Sequence, residues 1–228
     1  MSLTPLPHIN AAGIIGAPIQ YRWDRAIGLK LYADKDQNPR LYTAVDKVDF
    51  RAKMGIGMAI TEWVVWRLSA QTDVTDALLR VEAGWATLAR PHLAPKLRYK
   101  LTADHEADPV LRPLEQAFTN LGALAHRYAT GDIYLAEIIV RQATLARHIA
   151  PSPPAYDQWL SELLRTAAAA RPRGDEYDED DEVFDYAHEA PVARDAFGSI
   201  FDPALASAAH QDAFLQTLDT AANPYLEH

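Results

Sequence analysis

Residues 85–95 read WATLARPHLAP, and residues 142–151 read QATLARHIAP. Ala-Thr-Leu-Ala-Arg occurs at 86–90 and again at 143–147. Each copy leads to a histidine, an aliphatic residue, alanine and proline, with Pro91 as an extra residue in the first. Small and aliphatic residues, then a cation, then proline describe the end of a packed helix. Arg and His meet the negative end of the helix dipole, and proline stops the chain from continuing.

Working outward from the first copy, a helix is predicted over 74–90. Thr72 or Asp73 caps it, and Leu78, Val81, Trp85 and Leu88 share one face. Upstream, from about 51, Met54, Met58, Thr61, Val65 and Leu68 recur at spacings of three and four, which predicts another helix. Gly55 and Gly57 lower its intrinsic helix propensity but allow a neighbour to approach closely. Around the second copy the pattern is similar. Asp108-Pro109 is a cap followed by proline at the first helical position, and Leu111, Leu114, Phe118, Leu121 and Ala125 fall in line. Thr130-Gly131-Asp132 breaks the chain, and a fourth helix is predicted over 133–149. Each pentapeptide therefore ends the second helix of a helical hairpin. The offset of 57 residues suggests a duplicated αα-hairpin.

A fifth helix is expected at about 155–170, after PSPP, and a last one from Asp202-Pro203 to about Thr220. Residues 1–24 have no clear period and read as an extended arm. Residues 25–33, RAIGLKLYA, alternate Ile27, Leu29 and Leu31 with Gly28, Lys30 and Tyr32, which is strand period. With the turn residues DKDQNP and the following RLYTAV, they predict a short β-hairpin. The expected fold is all-α, or nearly so: five to seven helices in stacked antiparallel hairpins, with an N-terminal extended arm or small β-hairpin. The expected divisions are an arm at 1–50, a helical bundle at 51–171, an acidic linker or docking strip at 172–190, a C-terminal helical segment at 191–225, and a tag remnant at 226–228.

The net charge of −9 is unevenly spread. The stretch 175–185, DEYDEDDEVFD, holds eight acidic residues and no basic one, so the rest of the chain carries only −1. A near-neutral body with one acidic segment argues against nucleic acid as partner, because a basic face would be needed. It also points away from a membrane. The apolar run at 54–68 is too short to cross one and contains Glu62. The absence of cysteine excludes disulfides, thiolate metal sites and a cysteine nucleophile, and fits a cytoplasmic protein.

Catalytic signatures are lacking. Ser199 follows a glycine without the second glycine of a nucleophile elbow. There is no phosphate-binding glycine loop, no His-Glu-x-x-His and no dinucleotide fingerprint. DKDQN at 34–38 resembles the start of a calcium loop but continues with Pro39 and Val45 where the loop needs glycine and glutamate. Glu115/His126 and Glu137/His148 are each eleven apart, about three helical turns. An antiparallel hairpin would bring Glu115 near His148 and Glu137 near His126. Interhelical ion pairs are the favoured reading. A hard-metal site between helices, or at His105 in DHEAD, is the alternative, and would make the protein a metal-dependent enzyme. Trp63 and Trp66 cannot both face fully inward, so one of them is expected to line a groove or an interface. No catalytic residue, cofactor or metal ligand is assigned.

The acidic run is the segment that folding leaves unexplained, since like charge at that density opposes compaction. It reads as a strip that docks a basic protein partner. Asp175, Glu176, Asp178, Glu179, Asp180, Asp181 and Glu182 supply charge, and Tyr177 and Phe184 supply contact area. An internal alternative is docking onto KLRYK at 96–100. The expected function is a non-enzymatic binding module, an adaptor or inhibitor of the immunity or antitoxin kind. A structural or assembly component is a further alternative.

Overall fold

The computed structural model describes residues 3–31, 38–174 and 183–227. These residues form an all-α fold, with no strand among them and no helix long and apolar enough to cross a membrane. Nine α-helices follow in order: α1 (Pro7–Ala11), α2 (Arg25–Leu31), α3 (Pro39–Asp46), α4 (Phe50–Leu68), α5 (Thr75–Ala89), α6 (Leu111–Thr130), α7 (Leu135–Ile149), α8 (Pro153–Ala170) and α9 (Ala208–Thr217).

The acids expected as caps sit one and two residues ahead of the observed N-caps, Val74 and Val110, and brace the turns there. Asp73 accepts from the Thr75 N–H at 2.9 Å, and Asp108 accepts from Val110 and Leu111 at 2.7 and 2.8 Å. Gly131, at φ 75°, takes the left-handed C-cap of α6 that favours glycine. Both pentapeptides lie at the ends of helices. Leu88 and Leu145 are buried, Arg90 and Arg147 are exposed, and Thr87 and Thr144 each donate to the carbonyl four residues back, at Ala83 and Val140.

Beyond that likeness the two hairpins differ in role. α4 is buried along almost its whole length and on every face, which makes it the axis of the molecule. α5, α6, α7 and α8 pack around it, each with exposed polar residues on its outer side. The close approach expected at its glycines is present. A Cβ on Gly57 would lie 2.3 Å from Leu124 of α6, and one on Gly55 would lie 2.2 Å from the Phe197 ring. The second neighbour comes from a 3₁₀ turn, Arg194–Phe197, and not from an α-helix.

The polar residues of α4 are buried too, and each fastens a different segment. Lys53 pairs with Asp46 of α3 at 2.9 Å. Thr61 accepts from Gln142 of α7, which in turn accepts from Asn120 of α6. Arg67 donates to the carbonyls of Ile149, Ala17 and Pro18, and so ties the arm to the end of α7. Glu62 receives Trp85 of α5 at 2.8 Å and the guanidinium of Arg194.

Two expectations are corrected. The residues read as a β-hairpin are helical as far as they are described. α2 buries Gly28 and half-buries Ile27 and Leu31, leaving Leu29 exposed. α3 begins at Pro39, with Asn38 accepting from the Leu41 N–H. The last helix does not run from Asp202 to Thr220. Asp202 caps only a 3₁₀ turn, Pro203–Leu205, and Ser207 starts α9 afresh. Leu226 is buried, and the Glu227 N–H donates to Leu93 O at 2.8 Å.

Candidate interaction site at the N-terminal end of the central helix

The first turn of α4 has N–H groups without partners inside the helix, and two carboxylates take them. Asp49, the N-cap, accepts from Ala52 at 2.7 Å. Glu189, far along the chain, accepts from Phe50 at 2.8 Å and from Arg51. Burial and the neighbouring Asp49 push the Glu189 carboxyl above the ordinary carboxylate range, while the two N–H bonds and Arg171 work against that rise. Arg171 spans the site: it pairs with Asp49 at 2.6 Å and donates to Ala190 O. Arg51 donates to Tyr186 O.

This charge network sits between the two flanks of the acidic run. On one side Pro172 forms an antiparallel bridge with Val48, the Arg173 N–H donates to Lys47 O at 2.9 Å, and the Arg173 guanidinium pairs with Asp46. On the other side Val183 bridges to Asp132, and the Phe184 N–H donates to Gly131 O at 2.7 Å. Both flanks meet the same ring. Phe184 stacks on Phe50 at 4.1 Å between centroids, and the Arg173 guanidinium lies 5.6 Å from the Phe50 centroid. Gly174 and Phe184 line one cleft together with Asp49, Arg171 and His188.

Of the residues read as the docking strip, Asp175, Glu176, Tyr177, Asp178, Glu179, Asp180, Asp181 and Glu182 lie outside the described residues. Phe184 is described, and it is buried against Phe50 and Tyr128; it anchors the flank. Asp34 and Asp36 of DKDQN also lie outside the described residues, and Asn38 is a helix cap.

The Glu/His pairs expected across the α6–α7 hairpin are not formed. Glu115 instead receives His105 at 2.8 Å, Tyr99 at 3.0 Å and the Thr102 N–H at 3.2 Å, with Arg112 at 3.4 Å. Burial raises the Glu115 pKa, but the bonds from Thr102, His105 and Tyr99 outweigh it and hold the carboxyl below its usual value. Glu137 pairs with Arg127, His126 contacts Arg98, and His148 reaches Arg22 O at 2.8 Å. Among the described residues no group of three His, Asp, Glu or Cys side chains is placed to hold a metal ion.

The anchoring residues Asp49, Arg171 and Glu189 were not singled out from the sequence. Asp49 carries a local signal, an acid three residues before a helical N–H that it caps. The other two act across more than a hundred residues, where no spacing rule reaches. No protein-family model, curated protein or solved structure matches this chain.

Proposed function

We propose that this chain is a non-enzymatic protein-binding module, an adaptor or an inhibitor of the immunity or antitoxin kind, that docks a basic partner on its acidic stretch at 175–185. One observation carries the reading: both flanks of that stretch are held beside the N-terminal end of α4, one by Pro172 and Arg173 on Val48, Lys47 and Asp46, the other by Val183 and Phe184 on Asp132, Gly131 and Phe50. Fixed ends confine the charges to one place on a body that is otherwise near neutral. Concentrated charge of one sign speeds encounter with an opposite surface and disfavours acidic partners. A partner with a basic protein surface, not nucleic acid or membrane, in the cytoplasm, is the occupant that this charge selects.

The test replaces Asp178, Glu179, Asp180, Asp181 and Glu182 together with Asn or Gln. Binding of a synthetic lysine- and arginine-rich peptide is followed by fluorescence anisotropy at low and at moderate salt. The expected result is affinity weaker by about tenfold or more and a shallower salt dependence. Equal binding by the two proteins at both salt concentrations overturns the reading.

A further inference from the structure

The acidic stretch has a counterpart of opposite sign in the same chain. Residues 90–100, RPHLAPKLRYK, hold four basic residues, Arg90, Lys96, Arg98 and Lys100, and no acidic one. All four are exposed, and among the described residues none of them pairs with a carboxylate. Arg171, Arg173 and Arg194, by contrast, are each held by an acid. On a chain of net charge −9, cations gathered in one place without partners are open to an anion supplied from elsewhere.

This segment is laid against α6 and lines, with it, a cleft of about 560 Å³. A Cβ on Gly122 would lie 2.7 Å from Leu97 O and 3.0 Å from Arg98 Cα, so the missing side chain lets the two backbones touch. His126 lies one turn further along the same face of α6 and accepts from the Arg98 guanidinium at 3.1 Å. His92, Arg98 and His126 belong to the polar lining, and Ala94, Leu97 and Ala125 to the apolar lining. Glu227 is the one acidic residue among them. Cations beside small apolar groups suit an acidic peptide that also carries an aromatic side chain.

We propose that this cleft receives the acidic stretch 175–182 of a second copy of the chain, so that the protein associates with itself, strip to cleft. Charge selects the occupant: the stretch offers seven carboxylates, Tyr177 and no cation. The strip of the same copy is tethered the wrong way round. Val183 bridges antiparallel to Asp132, the Phe184 N–H donates to Gly131 O, and the Tyr186 hydroxyl lies 3.4 Å from His92 Nε2. From Val183 onward the chain therefore runs toward Thr130 and the cleft, and the acidic stretch ends on the far side of Asp132. Its other end is held at Lys47 by Arg173. The inference rests on the reading of this stretch as a docking strip and adds its regulation: a second copy seated on the strip competes with the basic partner. Each copy carries one strip and one cleft, so the contact is heterologous and extends head to tail unless a ring closes.

Two surface variants separate the halves of the contact. Lys96→Glu with Arg98→Glu reverses the cleft, and replacing Asp178, Glu179, Asp180, Asp181 and Glu182 by Asn or Gln removes the strip. If the cleft variant does not fold, Lys96→Gln with Arg98→Gln takes its place. Sedimentation velocity over a concentration series, at low and at moderate salt, reads the result. The parent is expected to associate as concentration rises at low salt, with an association constant lower by about tenfold or more at moderate salt. Each variant alone is expected to sediment as a monomer. A mixture of the two is expected to form a one-to-one complex and stop there, because one strip and one cleft remain. Amide shifts in the labelled strip variant should then centre on residues 92–98 and 122–130. A parent that stays monomeric at millimolar concentration and low salt overturns the proposal, and docking of the strip within its own copy gives that result. So does association that survives in the cleft variant, or a mixture that forms no complex. The cleft variant keeps its strip and should bind the lysine- and arginine-rich peptide at least as well as the parent. Peptide binding without self-association therefore sinks this inference alone, whereas peptide binding that ignores loss of the strip sinks the docking reading itself.

Discussion

The sharpest consequence at the scale of a single residue is a pH dependence that begins at His8. Burial is the main cause of its lowered pKa. The carbonyls of Gly198 and Phe197 favour the proton and Arg194 opposes it, and the result is a value of about 4 against 6.5 for an unperturbed imidazole. Between those two values the unfolded chain binds the proton and the folded one does not. Stability must therefore rise with pH across that window, and fall as pH drops from about 6.5 toward about 4. The full difference corresponds to about 3 kcal/mol. Glu189 works in the opposite sense in the acid range, because its folded pKa is raised and the folded protein holds that proton more tightly. The comparison that isolates His8 is denaturant unfolding of the parent and of His8→Phe at pH 7.5 and pH 5. The parent is expected to lose about 2 kcal/mol more than the variant on acidification. Parallel losses would show that His8 is not the group responsible. Nothing in the sequence announced this histidine. It lies in an aperiodic arm, and its burial depends on Trp159 and Gly198, which are distant in the chain.

Among the elements, α2 shows how a correct pattern gave a wrong period. Ile27, Leu29 and Leu31 alternate, and in a strand all three would share one face. In a helix Ile27 and Leu31 share a face at i and i+4, while Leu29 turns away, and the structure leaves Leu29 68% exposed. Three residues are too few to separate the two periods. The deciding information lay outside them, in the cap bond from Ile27 N–H to Asp24 and in the packing of Trp23 against Gly28. Leu29→Lys is accordingly expected to change stability by less than about 0.5 kcal/mol, as at an ordinary surface position. Ile27→Lys, which takes a half-buried aliphatic group off the core, should cost about 1–2 kcal/mol. Thermal unfolding followed by circular dichroism checks both, and equal large losses would restore the strand assignment. The longer elements α4 to α8 were legible because four or five turns of apolar spacing, together with Asp or Pro near the starts of α5 to α8, leave one period standing. α9 was overextended because Asp202 and Ser207 are both good caps, and the sequence alone does not say that the first starts only a 3₁₀ turn.

At the scale of the whole molecule, the two ends of the chain close over the central helix, and a buried ion pair holds the closure. Glu62 is fully buried on α4, and Arg194 grips both of its oxygens, at 3.0 and 2.5 Å, while also donating to Thr4 O in the arm. The His8 N–H donates to Gly198 O at 2.7 Å beside it. Arm, C-terminal segment and core thus share one set of polar contacts. From the sequence, Glu62 stood out only as an acid inside an apolar run that argued against a membrane span, and its partner 132 residues later was invisible. Such a pair adds little when intact, since desolvation offsets most of the attraction, yet breaking it strands a charge in the interior. Glu62→Gln keeps the shape and still accepts from Trp85, but it leaves the Arg194 guanidinium without a counter-charge. The expected cost is about 3–5 kcal/mol. The loss should be uneven: hydrogen exchange should accelerate first at residues 3–12 and 192–201, while the amides of α6 and α7, held by the Asn120–Gln142–Thr61 chain, keep their protection until global unfolding. Pairing Glu62→Gln with Arg194→Met should recover part of the stability, because the stranded charge is removed with its partner. Exchange that accelerates uniformly across the molecule, or a double variant no more stable than Glu62→Gln alone, would mean that the two ends are held by packing and not by this pair.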